Sequence, residues 1–181
     1  MFLLLSLLLG LTPLTGDAAQ PTTQPLSFDA AAFHDAFNAA RNQPRLVLVV
    51  SPTCGHCLRL ASEVQELLAA HPDSAIKVFV LWAPYMATDN QMAAERALAY
   101  LSDGRVTHFW DLWRFGTRTY TEQLKLPVTE AWDMLAFYEP RLQWEDELPK
   151  PTFWMQDRQL EIGTPYSKEG LAQALEPWWK K

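Results

Sequence analysis

The chain has 181 residues, enough for one domain with a substantial core, and 49 % apolar against 20 % charged residues excludes an intrinsically disordered polymer. A net charge of −6 with no basic cluster excludes a nucleic-acid surface. Two cysteines are too few for a disulfide framework, so they point to chemistry or to one local clip.

Residues 1–18 read as a signal peptide. Residues 2–11 form an apolar run, Pro13 follows it, and Gly16 and Ala18 fall at −3 and −1 of a cleavage before Ala19. The run is well short of the roughly 20 apolar residues of a membrane-spanning helix. Export to the periplasm or the extracellular space is expected, with no stable span in the mature chain. Cleavage removes Asp17 and no basic residue, leaving a charge of −5 (15 basic against 20 acidic). Residues 19–26, "AQPTTQPL", read as a Pro- and Thr-rich linker, and 27–181 as one domain without internal repeats.

In chain order, "SFDAAAFHDAFNAARNQ" predicts an amphipathic helix with Ser27 as its N-cap and Phe28, Phe33 and Phe37 toward one side. "RLVLVV" is a continuous apolar run, the pattern of a strand buried on both faces. A helix follows Cys54-Gly55-His56-Cys57, with Leu60, Val64, Leu67 and Leu68 at helical spacing, and stops before Pro72. "IKVFVLWA" is a second buried strand, so the segment predicts a βαβ unit with parallel pairing. Thr88 and Asp89 can cap a helix reaching about Leu101. "VTHFW" predicts a strand, "GTRTYTEQLKL" a short helix, "AWDMLAFY" a strand, 139–150 a loop and "TFWMQ" a strand. "SKEGLAQALEPWW" closes as an amphipathic helix capped by Ser167.

The chemistry sits where the first apolar strand ends. A turn that opens a helix brings the helix's N-terminal amides to its own first residues, and their partial positive charge favours a thiolate. Cys54 is expected there as the nucleophile, with protonated His56 adding a second positive charge. Cys57, one turn along and facing inward, is expected to resolve a mixed disulfide formed on Cys54. The spacing of two residues lets both sulfurs meet on the first helical turn. A zinc site would need a second, regularly spaced ligand pair, which the scattered His34, His71 and His108 do not make, so no metal is expected. The alternative is a non-enzymatic, copper-type metal-handling or binding module, with His108 as the distant third ligand.

Strand, CGHC and helix in a βαβ frame resemble the thioredoxin superfamily, and the tetrapeptide is similar to that of protein disulfide isomerases. The stretch "HFWDLWRFGTRTYTEQL" resembles the insert of exported thiol-disulfide oxidoreductases that serve cytochrome c maturation. The resemblance implies a thioredoxin-like α/β fold, a central mixed sheet flanked by helices, with a strand-helix insert before the closing hairpin. It implies dithiol-disulfide exchange with protein thiols or disulfides, electrons exchanged with a redox partner protein, and no cofactor. It implies Gly55 and His56 in supporting roles, and a cis-proline facing the cysteines, with Pro127 and Pro151 as candidates.

Two positions depart from the family pattern. Thr53 stands where a Trp usually precedes the first Cys, and Leu48 stands where relatives carry a buried acid. The second change removes the usual proton acceptor for the resolving thiol. Trp110, Trp113, Trp132 and Trp154 could line an apolar groove or simply fill the core with their N–H groups at its edge. Asp111 and Asp133, each following a Trp, read as turn or edge residues, with a replacement for the missing acid as the other possibility.

Overall fold

Alternation within a single strand divides the molecule into layers. The computed structural model describes residues 22–157 and 162–179, so the signal-peptide reading of 1–18 lies outside the described residues. All six residues of β2 (Arg45–Val50) are buried. Leu46, Leu48 and Val50 enter one apolar cluster, while Val47 and Val49 enter another, as successive strand side chains must. The first cluster is closed by α2 (Gly55–Ala70), α3 (Gln91–Ala97) and α5 (Lys168–Leu175), through residues such as Leu60, Val64, Ala94 and Leu171. The second is closed by α1 (Ala31–Ala39) and α4 (Phe115–Gln123), through Phe33, Phe37 and Tyr120. Each fully buried side chain of this size contributes roughly 1.5–3 kcal/mol of transfer free energy.

Among the described residues seven strands make one mixed sheet. With β1 (Gln24–Pro25), β3 (Lys77–Trp82), β4 (Val106–Trp110), β5 (Met134–Tyr138), β6 (Phe153–Gln156) and β7 (Thr164–Pro165), the order is β1-β4-β3-β2-β5-β6-β7. The β1/β4, β4/β3, β3/β2 and β6/β7 pairs are parallel; β5 runs antiparallel to both β2 and β6. The expected βαβ unit is therefore β2-α2-β3, and β5 with β6 makes the closing hairpin. The inserted pair β4 and α4 widens the parallel half. Gly116 lets α4 approach the sheet: a Cβ there would stand 2.9 Å from Leu81 Cδ1 and 3.1 Å from Val49 Cγ2.

The structure departs from the sequence reading at several ends. Within the expected linker, Gln24 and Pro25 pair with Phe109 and Trp110, the Leu26 amide donates to the Trp110 carbonyl at 2.9 Å, and Thr23 and Leu26 are buried. The folded body thus begins before residue 27; backbone pairing needs no apolar pattern in the strand. Helix α1 begins after Ala30, whose φ of 54° ends the preceding turn, while the Ser27 hydroxyl donates to Asp29 instead of capping. Phe28 is consequently exposed. Asn90, not Thr88 or Asp89, caps α3 by accepting from the Ala93 amide at 2.9 Å. Ser167 caps α5 as expected, accepting from the Gly170 amide. Among the described residues no helix is long and apolar enough to cross a membrane.

Candidate functional site

The cysteines sit where β2 ends and α2 starts. Cys54 is the N-cap of α2, with extended backbone (φ −82°, ψ 123°), and its side chain is partly exposed. The Gly55 position is open, with no atom within 4 Å of where a Cβ would stand. Cys57 is fully buried, on the same side of the sheet as Leu48 and Leu60. Its sulfur accepts a hydrogen bond from the Ser51 amide at 3.2 Å. Both cysteines are free thiols.

Thr53 is held from the β3–α3 connection. Its hydroxyl reaches Asp89 Oδ1 at 2.5 Å and Thr88 at 2.6 Å, and Ser51 Oγ donates to the same Asp89 oxygen at 3.0 Å. Asp89 Oδ2 accepts from the Tyr85 and Met86 amides at 2.9 and 2.8 Å. One carboxylate thus ties the residues ahead of Cys54 to the neighbouring connection. Thr53, read from the sequence as a lost Trp, is a small polar anchor in this network.

Leu48 is buried in β2 and supplies no acid, but another element does. Asp133, immediately before β5, lies beside the cysteines, whereas its neighbour Met134 enters the other apolar cluster. One Asp133 carboxylate oxygen and both cysteine sulfurs lie within 4.8 Å of one another. Asp133 is 3 % exposed, and its Oδ1 has no hydrogen-bond partner. Burial raises its carboxyl above the ordinary 3.8, and the contact with Cys57 draws it partly back. Burial likewise pushes the Cys57 thiol far up, and the negative charge of Asp133 pushes it further, while the Ser51 amide opposes both. The buried thiol therefore keeps its proton at rest, with a carboxylate beside it.

Among the described residues no peptide bond is cis; Pro127 lies in the loop after α4 and Pro151 just ahead of β6. The residue immediately before β5 is Asp133, with φ 59°. Its amide donates to the Val49 carbonyl at 2.8 Å, a bond that a proline cannot make.

The end of β6 adds charge. His56 Nδ1 lies 3.6 Å from Asp157 Oδ2, with the imidazole side chain 73 % exposed, and Arg59 pairs with the same carboxylate. The Asp157 amide donates to the Asp133 carbonyl at 2.9 Å, joining the two loops that flank the cysteines. His56 and Arg59 thus face the same Asp157 carboxylate. On the other flank Trp132 stacks on Tyr85 at 4.8 Å, and Arg114, paired with Glu130, lies 5.6 Å above the Tyr85 ring.

The other sequence candidates fall elsewhere. His108 is buried in β4, accepts from Trp82 Nε1 at 3.1 Å, and is brought down to about 4 by burial, so it is a core histidine and not the third ligand of a copper site. Asp111 takes the turn role, accepting from the Phe115 and Gly116 amides at the start of α4. The four Trp divide between environments: Trp110 is buried, Trp132 and Trp154 are half-buried, and Trp113 is exposed against Phe28.

No protein-family model matches the chain, and no curated protein matches it in sequence. Solved structures match it by fold. A thiol:disulfide interchange protein of the thioredoxin family from Chlorobium tepidum superposes at a TM-score of 0.52, covering 91 % of this chain and 100 % of its own, at 8 % identity. A second protein from Chlorobium tepidum, assigned as the thiol:disulfide interchange protein DsbE, does so at 0.50, covering 80 % of this chain and 85 % of its own, at 12 % identity. The fold is thioredoxin-like.

Proposed function

We propose that this protein is a thiol-disulfide oxidoreductase that exchanges the dithiol of Cys54 and Cys57 for disulfides on other proteins. The observation that carries the reading is one partly exposed thiol at a helix N-terminus beside one buried thiol and a buried carboxylate. The thioredoxin-like fold supports it, since the solved neighbours are named as thiol:disulfide interchange proteins.

In the reducing direction the Cys54 thiolate attacks a substrate disulfide. One substrate sulfur leaves as a thiolate and is protonated, and a mixed disulfide remains on Cys54. Asp133 then accepts the Cys57 proton as the Cys57 sulfur attacks Cys54 Sγ. The Cys54 and Cys57 sulfurs are joined, and the second substrate sulfur leaves, taking a proton from Asp133 or water. The substrate gains two electrons from the protein and two protons, one from Cys57 and one from the solvent that took up the Cys54 proton. The reverse sequence oxidises a substrate dithiol. Gly55 puts no side chain beside Cys54, and protonated His56 favours its thiolate. No cofactor enters these steps; a redox partner protein restores the starting state. The apolar run at residues 2–11 with Gly16 and Ala18 supports export, and so a periplasmic or extracellular setting.

Equilibration in glutathione buffers tests the reading. Wild type should interconvert between two thiols and one disulfide as a two-electron couple, with a potential nearer the ~−180 mV of protein disulfide isomerase than the ~−270 mV of thioredoxin. Cys54→Ser should abolish turnover of a disulfide substrate, and Cys57→Ser should accumulate the mixed disulfide. Failure of the wild type to form the Cys54 to Cys57 disulfide reversibly would overturn the reading.

A further inference from the structure

The same three side chains form a ligand set that the sequence could not assemble, because the third member comes from the residue just ahead of β5. Both sulfurs and an Asp133 oxygen lie within 4.8 Å of one another, and Cys54 is the partly exposed member of the set. Independently, Asp133 Oδ1 is buried without a hydrogen-bond partner. We propose that the reduced protein binds one zinc ion through Cys54, Cys57 and Asp133, with the fourth position open toward solvent beside Cys54. This inference rests on the geometry of the three groups and not on the oxidoreductase reading.

The distances suit that ion. Zinc bonds thiolate sulfur at about 2.3 Å and carboxylate oxygen at about 2.0–2.2 Å in a tetrahedron, which spaces such ligand atoms about 3.5–3.8 Å apart. The three groups need to close by no more than about 1 Å. Magnesium and calcium require a largely oxygen environment and are poorly matched to two sulfurs. Copper(I) is served by thiolates alone and would leave Asp133 idle, so dependence on Asp133 separates the two metals. Two thiolates and one carboxylate carry three negative charges, of which zinc neutralises two.

Binding moves protons and no electrons: one zinc ion and two thiols give a zinc dithiolate and two released protons. Because both thiols must give up their protons to bind, affinity should climb with pH. The disulfide and the metal use the same sulfurs and exclude each other. Zinc would therefore hold the protein reduced and withdraw Cys54 from exchange.

The test uses the full chain, reduced and free of oxygen, with cobalt(II) as a coloured substitute for zinc. One cobalt per chain should bind, giving a sulfur-to-cobalt charge-transfer band and the d–d bands of a tetrahedral site. Zinc should displace it, and the oxidised protein should give neither signal. Asp133→Asn should retain near-ultraviolet circular dichroism and weaken zinc binding tenfold or more. X-ray absorption of the wild-type zinc complex, which needs no variant, should find two sulfur ligands with oxygen or nitrogen completing the set. Absence of a one-to-one complex, four sulfur ligands from two chains, or an unchanged affinity in Asp133→Asn would each overturn the proposal. Glutathione equilibration in the presence of chelator reports the redox chemistry separately.

Discussion

Replacing Asp133 by Asn keeps the shape of the side chain and removes its ability to accept a proton. Cys57 is fully buried, and its sulfur keeps one amide donor, Ser51, in either protein. The variant therefore loses the proton acceptor and little else. A positioned general base is worth about 10²–10⁴ in rate. Cys54 is partly exposed, so water offers a rival route for the proton, and the lower end applies: about 100-fold at neutral pH, or ~2.7 kcal/mol. The wild-type rate should rise as pH passes the raised carboxyl and then level off, because the base acts only when ionised. In the Asn variant the rate should climb about tenfold per pH unit, following the population of Cys57 thiolate, so the ratio narrows at high pH. Reaction of the reduced protein with an aromatic disulfide reads this directly. The first coloured thiolate reports attack by Cys54, and the second reports resolution by Cys57. Equal resolution rates and equal pH profiles in the two folded proteins would refute the role. Stability supplies an independent sign. The folded carboxyl is raised above its unfolded value, so its ionisation opposes folding once pH exceeds the ordinary 3.8. Asp133→Asn should therefore shift the urea midpoint upward at pH 7, by on the order of 1 kcal/mol, and lose this advantage well below pH 4.

Three further outcomes are expected. In the native reduced protein, Cys54 should alkylate at least about 100-fold faster than Cys57, and mass spectrometry of Cys54→Ser should find Cys57 unmodified until urea is added. Because His56 is exposed and shares Asp157 with Arg59, His56→Pro should lower the potential by only ~15 mV, or ~0.7 kcal/mol, while Asp157→Asn should raise it; glutathione equilibria of the two variants check both signs. Gly116→Ala should cost ~1–3 kcal/mol in a thermal or urea titration despite the better helix propensity of Ala, because its Cβ would meet Leu81 and Val49.

The central layers were legible because burial writes itself into composition. "RLVLVV" and "IKVFVLWA" contain nearly every side chain that the middle of the sheet must bury, and the helix after Cys57 carries its apolar stripe at i, i+3 and i+4 spacing. The cysteine geometry followed from strand, turn and helix alone. What the chain hid was pairing and proximity. Gln24-Pro25 and Thr164-Pro165 join the sheet through backbone groups, leaving no apolar alternation to detect. Asp133 reaches Cys57 only after β5 folds antiparallel onto β2, so no local spacing announces it. Its sole local sign was an ionisable residue immediately before a buried strand. The family pattern drew attention to Leu48 and to prolines, whereas here the acid comes from the residue whose amide binds Val49.

Both margins of the sheet are finished in the same way. Among the described residues each outermost strand is two residues long and ends in a proline, Pro25 on one side and Pro165 on the other. A strand that short offers few free amides, and its proline offers none, so a foreign extended chain finds no continuous template on which to add itself. For a protein expected to meet partly folded polypeptides, this limits capture to the sulfur chemistry and guards against self-assembly through the sheet. Lengthening a margin by exchanging its proline for a β-branched residue would remove that guard, and the consequence would be seen as concentration-dependent aggregation before any change in thiol chemistry.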